Sequence, residues 1–310
     1  MSRILVSLGG NALGVDFDEL VETVGVIATP IVGLLKDGHE VVICHGNGPQ
    51  VGMIKTNIDL GKAGQQEERV MPLSECVAMS QSYIGYHLQN AIENQMNKQG
   101  VQGKVVTTVV SRCLVDADDP GFSNPTKPIG AFFTKEQADE YVAQGKTFIE
   151  DSGRGYREVV ASPTPKMILE KDSVRDLVSQ GYVVIAGGGG GIPVVTQDGW
   201  TKAIDAVIDK DLTSILLAAD TECDSLAILT GVEKVSVNFG KPNQEDLSEL
   251  KVADAKKYMD EGQFPAGSMG PKIQAAIDFA ESGDGRKCLI TSLDKLVEGL
   301  RGETGTWVVA

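Results

Sequence analysis

Two kinds of stretch alternate along the chain: short runs that are apolar at nearly every position, and longer segments with apolar residues at helical spacing. Ile4, Leu5, Val6 and Leu8 form the first run, which reads as a short strand buried on both faces. It stops at Gly9-Gly10, where the backbone can turn sharply and admit a ligand. Asn11 follows, and from Asp16 a helical pattern begins with acids in its first turn. The motif then repeats. Gly38-His-Glu-Val-Val-Ile-Cys44 is a second apolar run that ends in His45-Gly-Asn-Gly-Pro-Gln-Val-Gly52 and is again followed by a helix. A strand that ends in glycines and feeds a helix leaves unpaired N–H groups aimed at one spot, an anion site in outline. For a single turn, a tight β–α connection is the commoner explanation. Two such turns on neighbouring parallel strands would face one crevice.

Residues 71–98 carry apolar positions at Leu73, Val77, Ile84, Leu88, Ile92 and Met96, which predicts a long helix. Ser80, Ser82 and Gly85 on it would let another element come close, within the monomer or from a second subunit. Residues 104–110 read as a Val-rich strand. Between 116 and 165 the composition shifts towards Pro and Gly, which predicts an inserted flap of hairpins and loops without a core of its own. Beyond it the alternation resumes. A helix is expected over 173–180, a strand over 182–186, the glycine run 187–191, and a hairpin around Asp198-Gly199. A helix ending near 219, strands over 225–229 and 235–240, and helices over 246–261 and 271–281 come next. A strand over 288–291, a short helix and a last strand over 305–309 close the chain. Pro271 occupies a permitted first-turn position. The order predicts one α/β domain with an open, mainly parallel sheet.

The length of 310 residues and the 42% hydrophobic content allow one large core. No leader-like segment and no membrane-spanning run stands out, so a soluble cytoplasmic protein is expected. Five scattered cysteines read as reduced thiols and show no zinc-ligand spacing. A net charge of −15 argues against nucleic acid or an anionic membrane as partner. It also requires that any anionic substrate be met by a local concentration of lysines.

Standard nucleotide signatures are missing. Gly61-Lys62 is followed by Ala63, so there is no P-loop, and Ile192-Pro193 interrupts the glycine run. Gly46 to Gly52 has a loose dinucleotide-like spacing, with Glu67 or Glu68 as the acid, which keeps a dehydrogenase open at this point. His39, His45 and His87 lack a carboxylate spaced to orient a general base, and each reads as structural or solvated. A reaction whose nucleophile is already anionic needs only positioning and charge neutralisation. Lysines at breaks in regular structure can supply that. Lys127 lies in a Pro-flanked flap loop, Lys210 stands between Asp209 and Asp211 at a helix start, and Lys272 follows Gly267-Ser-Met-Gly-Pro271. For most lysines a solvated surface charge suffices. A lysine at a helix N-terminus opposes the dipole, and a phosphate held there would resolve the conflict, with Asp211 holding the lysines.

Six motifs together resemble the carbamate kinases of the amino acid kinase fold family. They are Leu8-Gly-Gly-Asn-Ala-Leu13, His45-Gly-Asn-Gly-Pro-Gln-Val-Gly52, Asn124-Pro-Thr-Lys-Pro-Ile-Gly130, Gly187-Gly-Gly-Gly-Gly-Ile-Pro193, Val207-Ile-Asp-Lys-Asp211 and Gly267-Ser-Met-Gly-Pro-Lys272. The resemblance runs in order over residues 1–310. It implies an open, mainly parallel αβα sandwich with an acceptor-binding N-terminal half, a nucleotide-binding C-terminal half, and residues 116–165 as a protruding flap. It implies a homodimer formed through the long helix, and ATP/ADP as nucleotide with Mg²⁺ carried on the phosphates rather than in a protein metal site. It also implies interconversion of ATP plus carbamate with ADP plus carbamoyl phosphate, a reaction of arginine metabolism. Gly9, Gly10, Asn11, Gly46, Asn47 and Gly48 would then bind substrate and the transferring phosphoryl group. Lys127, Lys210 and Lys272 would stabilise that group, with Asp211 organising them. Asn238, Phe239, Gly240, Met269 and Pro271 would border the nucleotide. The alternatives are a kinase of another small carboxylate, or a non-catalytic sensor of carbamoyl phosphate or nucleotide. One departure from the family pattern is the short stretch from Gly14 to Asp16, together with Pro30 inside the expected helix. It points to a shorter-headed, carbamate-kinase-like branch.

Overall fold

The computed structural model describes residues 2–9, 13–61, 71–151, 153–265 and 268–310. β1 (Arg3–Leu8) is followed by α1 (Phe17–Lys36), and β2 (Glu40–His45) by α2 (Gly48–Gly61) and α3 (Leu73–Gln99). After β3 (Val106–Thr108) and β4 (Arg112–Val115) come the flap elements β5 (Lys127–Phe133), α4 (Lys135–Val142), β6 (Phe148–Glu150) and β7 (Tyr156–Val160). The chain returns through β8 (Pro165–Ile168), α5 (Lys171–Ser179), β9 (Val183–Ile185), the hairpin β10 (Ile192–Gln197) and β11 (Trp200–Ala203), and α6 (Lys210–Asp220). It ends with β12 (Ser225–Thr230), β13 (Val235–Val237), β14 (Glu245–Leu247), β15 (Glu249–Lys251), α7 (Val252–Asp260), α8 (Met269–Glu281), β16 (Lys287–Ser292), α9 (Leu296–Leu300) and β17 (Thr306–Val309).

The central sheet has eight strands in the order β15-β17-β16-β12-β1-β2-β9-β3, parallel except for β16 against β17. Its pleat divides the core in two. Ile4, Val6 and Leu8 point to one face with Val41 and Ile43, and pack against α1, α3 and α9 through Leu20, Ile27, Ile84, Leu88 and Leu296. Leu5, Val42 and Val184 point to the other face and meet α5, α6 and α8 through Val174, Leu217 and Ile277. The result is the expected three-layer αβα sandwich. β1 lies between the strands of residues 40–185 on one side and those of residues 225–309 on the other. A crevice is therefore expected at the carboxyl edge of β1.

Several local expectations change. Residues 246–251 are not helical: they form β14 and β15, and α7 starts only at Val252. The reason is period-2 patterning, with Leu250 2% exposed between the exposed Glu249 and Lys251. The strand expected over 104–110 shortens to Val106–Thr108. The flap is more than hairpins and loops, because Thr134 closes a capping box with Gln137 and starts α4 against a three-stranded sheet, β5-β7-β6. Pro30 does not break α1. Its N–H would have bonded the carbonyl of Val26, an exposed residue, so water can satisfy that oxygen. The short stretch before α1 closes as a compact cap, in which Asp16 accepts from the Glu19 N–H at 2.9 Å and Glu19 accepts from the Val15 N–H at 2.9 Å. Ser80 and Gly85 serve packing within the monomer. A Cβ on Gly85 would stand 2.4 Å from Thr108 of β3.

The flap is seated on α2 by backbone contact. A Cβ on Gly52 would lie 2.1 Å from the Cα of Gly130, which itself has a φ of +70°. Ile129 beside it joins Val51, Cys76, Val77 and Val207 in a small separate core. Gly52→Ala should cost about 1–3 kcal/mol by overpacking this contact. It should also speed proteolytic cleavage within residues 116–165, and unchanged cleavage would show that the contact does not hold the flap.

Candidate active site

A cleft of about 980 Å³ opens at the carboxyl edge of β1, β2 and β12, roofed by the flap. The starts of α2, α6 and α8 reach it through Gly48, Lys210 and Met269. Of the residues singled out from the sequence, Gly9, Gly46, Asn47, Gly48, Lys127, Lys210, Asp211, Phe239, Met269, Pro271 and Lys272 line it. Asn238 and Gly240 do not. The Asn238 N–H donates to Gln263 Oε1 at 3.0 Å and the Gly240 N–H to Gln244 Oε1 at 2.9 Å, so both shape the loop that presents Phe239. Gly10, Asn11 and Gly267 lie outside the described residues. So do Glu67 and Glu68.

The lysines sort into two linked pairs. Lys210, 8% exposed at the first position of α6, donates to Asp211 Oδ1 at 2.5 Å. Lys272 approaches the other oxygen of Asp211 at 3.7 Å. Lys127 does not join this carboxylate; it donates to Asp209 Oδ2 at 2.7 Å. Asp209 is also the N-cap of α6, its Oδ1 accepting from the Asp211 N–H at 2.8 Å. One residue therefore starts the helix and anchors the flap lysine. Asp209 was visible only as an acid beside Lys210, and its pairing across 82 positions carries no local signal.

Burial alone would raise the Asp211 carboxyl, but Lys210 and Lys272 beside it hold it at about 2. Burial alone would lower Lys210, yet Asp211 lifts it above the usual lysine value. Both groups are thus charged throughout the neutral range. A buried ion pair of this kind contributes little net stability, because desolvation cancels most of the attraction, while removing one partner costs about 3–5 kcal/mol. The cluster holds charge in place rather than holding the fold together.

Two arginines complete the roof. Arg157 of β7 is 8% exposed, bonds Asp151 Oδ2 at 3.4 Å through Nη1, and leaves Nε without a hydrogen-bond partner. Its Nη2 lies 3.8 Å from where a Cβ on Gly48 would be, which puts it over the start of α2. Arg154 pairs with Asp151 at 3.0 Å, and both guanidinium groups stack on Phe132. These arginines were not among the predicted site residues. Their run, Asp151-Ser-Gly-Arg-Gly-Tyr-Arg157, stood out only as a Gly-rich flap segment. The glycine turns are also asymmetric. The Gly46 N–H donates to Leu8 O at 3.0 Å and is spent within the sheet, contrary to its expected role as a free donor. Asn47 Nδ2 is likewise engaged, donating to Ser80 Oγ at 2.8 Å. Asp209 and Asp211 are both taken up by lysines, and no group of three or more potential His, Cys, Asp or Glu metal ligands occurs among the described residues.

Strand edge, converging helix starts and lysine cluster define a phosphoryl-transfer class of α/β protein, and the chain belongs to the amino acid kinase family, whose sequence model matches residues 2–292. A carbamate kinase of Staphylococcus haemolyticus is 50% identical over 310 residues, covering 99% of both chains. The carbamate kinase-like protein YqeA of Escherichia coli is 49% identical over 304 residues, covering 98% of each. The solved structure of Giardia lamblia carbamate kinase bound to AMP-PNP superposes with a TM-score of 0.88 at 39% identity, covering 99% of this chain and 98% of that one. Within the family, the chain belongs with the carbamate kinases.

His45 lies buried next to the cleft residue Gly46, with its ring against Gly188, as a neutral group. It is 1% exposed, its Nδ1 bonds Gly46 O at 2.9 Å, and burial pushes it down to about 4. The unfolded state then binds a proton that the folded state refuses between pH 6.5 and about 4. Stability contributed above pH 6.5 should drain as the pH falls towards 4. Thermal melts across this window should show a shallower fall for His45→Gln than for the wild type. Equal slopes would remove His45 from the acid response.

Proposed function

We propose that the protein transfers a phosphoryl group reversibly between ATP and carbamate, giving ADP and carbamoyl phosphate. The observation that carries this reading is the convergence of Lys127, Lys210 and Lys272 on one cleft, positioned by Asp209 and Asp211. Three fixed cations around a point edged by helix starts suit the charge that spreads over a transferring phosphoryl group. Carbamate brings an anionic oxygen, so attack on the γ-phosphorus needs no base. The neutral, buried His45 agrees with that economy.

The acceptor half of the site is assigned to the N-terminal half of the chain and the flap. Gly9, Asn47 and Gly48 edge the acceptor, Gly10 and Asn11 are assigned to it with them, and Arg157, which lines the cleft, brings its guanidinium to the acceptor's carboxylate. Gly46 shapes the turn rather than donating. The nucleotide half is assigned to the C-terminal half. Phe239, 67% exposed at the rim, with Met269 and Pro271, provides an apolar border for the base, and Asn238 and Gly240 hold that loop. Asp209 and Asp211 are both engaged by lysines, so Mg²⁺ would be carried by the phosphates of ATP and would supply charge neutralisation there.

The protein is further assigned to the cytoplasm and to arginine metabolism. Among its described residues no helix is long and apolar enough to cross a membrane. A homodimer is proposed through α3, where Met79 and Tyr86 stand exposed beside Phe17 of α1, and where Phe17 and Tyr86 pack edge-on against the half-buried His87.

ATP formation from ADP and carbamoyl phosphate by the purified protein tests the reaction, and clear preference for a larger carboxylate acceptor would overturn the substrate. Ligand binding without turnover would point to a sensor. Lys272→Ala should lower kcat by about 100-fold or more, the scale of losing one fixed transition-state donor. Turnover within a few-fold of wild type would contradict its role. Arg157→Gln should act differently. It should raise KM for carbamoyl phosphate about tenfold, the equivalent of one charge-assisted hydrogen bond, with kcat far less affected.

A further inference from the structure

β1 is buried at every position from Ile4 to Leu8, and Ser7 is the one polar residue among those five. A hydroxyl at 0% exposure in such a strand costs stability unless it is hydrogen-bonded. Ser7 alternates with Ile4, Val6 and Leu8, so its side chain leaves the α1–α3 core and points to the face carrying α6. There its Oγ accepts from Lys210 Nζ at 2.9 Å and lies 3.0 Å from Ser214 Oγ, one turn further along α6.

The geometry points to Ser7 as a positioning residue that holds the Lys210 ammonium upright between the sheet and the cleft. An ammonium has three donors. Asp211 takes one and Ser7 a second, and the two fix the direction of the third towards the cleft that Lys210 lines. No neighbour in the same row can substitute. Ser7 sits in register between Cys44 of β2 and Ile228 of β12. Ile228 is apolar, and the Cys44 thiol donates to Gly187 O at 3.4 Å. Without the Ser7 hydroxyl, Asp211 is the one hydrogen-bonding side chain left to Lys210 among the described residues, and the ammonium collapses towards that carboxylate and out of line. Ser214 braces the arrangement by fixing the Ser7 rotamer through the shared hydrogen bond. This inference rests on the phosphoryl-transfer reading above for its kinetic effect, though not for the hydrogen bond itself.

Two measurements on the full-length protein test it. Ser7→Ala should lower kcat about 10- to 100-fold, as expected for a small displacement of a catalytic group, while KM for ADP changes less than about twofold. In a Lys210→Met background the same substitution should cause no further loss, because the two act through one group. Ser7→Thr, which keeps the hydroxyl, should recover most of the lost kcat. Independently of turnover, the ammonium resonance of Lys210 in ¹⁵N-lysine-labelled protein, identified by its absence in Lys210→Met, should shift in Ser7→Ala. An unmoved resonance overturns the inference even if kcat falls, and so does an equal loss of kcat in the Lys210→Met background. An inactive wild type would sink the proposed reaction alone and leave the resonance to decide the hydrogen bond. If Ser7→Ala does not fold, Ser214→Ala takes its place, with a smaller shift of the same resonance as the expected result.

Discussion

The Lys210–Asp211 pair, sealed between the central sheet and α6, is the interaction on which the rest of the site depends. Its carboxylate is shared with Lys272 at the start of α8, and the backbone N–H of Asp211 is capped by Asp209, which in turn holds Lys127 of the flap. Three elements far apart in sequence are thereby referred to one helix terminus. A helix start repels cations, so lysines stay there only where carboxylates outweigh the dipole. The two aspartates do so, and they leave the lysine ends free to meet a ligand from the open side of the cleft.

The glycines act on the same geometry from the outside. Gly52 and Gly130 let the flap lie directly on α2, which carries Lys127 and Arg157 over the cleft. Gly189 and Gly190 give way to the Asn47 side chain and to the carbonyl of Ile208, so the loop after β9 fits beneath the start of α6. Gly52 and Gly190 supply close approach to other backbone, Gly189 makes room for a side chain, and Gly130, Gly189 and Gly190 also hold positive φ.

Much of this was legible in the sequence, and what was not has a physical reason. The buried strands and the αβα order follow from apolar runs such as Ile4 to Leu8, because a parallel sheet covered on both faces leaves an unambiguous pattern. Lys210 and Lys272 were visible through a local conflict, a cation at a helix start. Arg157 was not, since its burial arises only when the flap folds over α2, and Asp209 stood out only as an acid beside Lys210. The Gly46 N–H was misjudged for a similar reason: a sheet hydrogen bond to Leu8 depends on register, which residue spacing alone does not report. Residues 246–251 misled because acids and leucines suit a helix as readily as an edge strand, and the choice falls to the partner strand β17.

The charge of the site and the charge of the whole chain act over different distances. Lys127, Lys210 and Lys272 outnumber Asp209 and Asp211, so the cluster carries an excess positive charge inside a protein of net charge −15. At physiological ionic strength a surface charge is felt over roughly 8 Å, and at low salt over several times that distance. In dilute buffer an approaching phosphate is therefore repelled by the protein as a whole before it reaches the lysines. Added salt mutes that distant repulsion first and the enclosed lysines last. The encounter of this acidic protein with its anionic ligands is thus eased by moderate ionic strength, the reverse of the behaviour of a protein whose whole surface attracts its ligand.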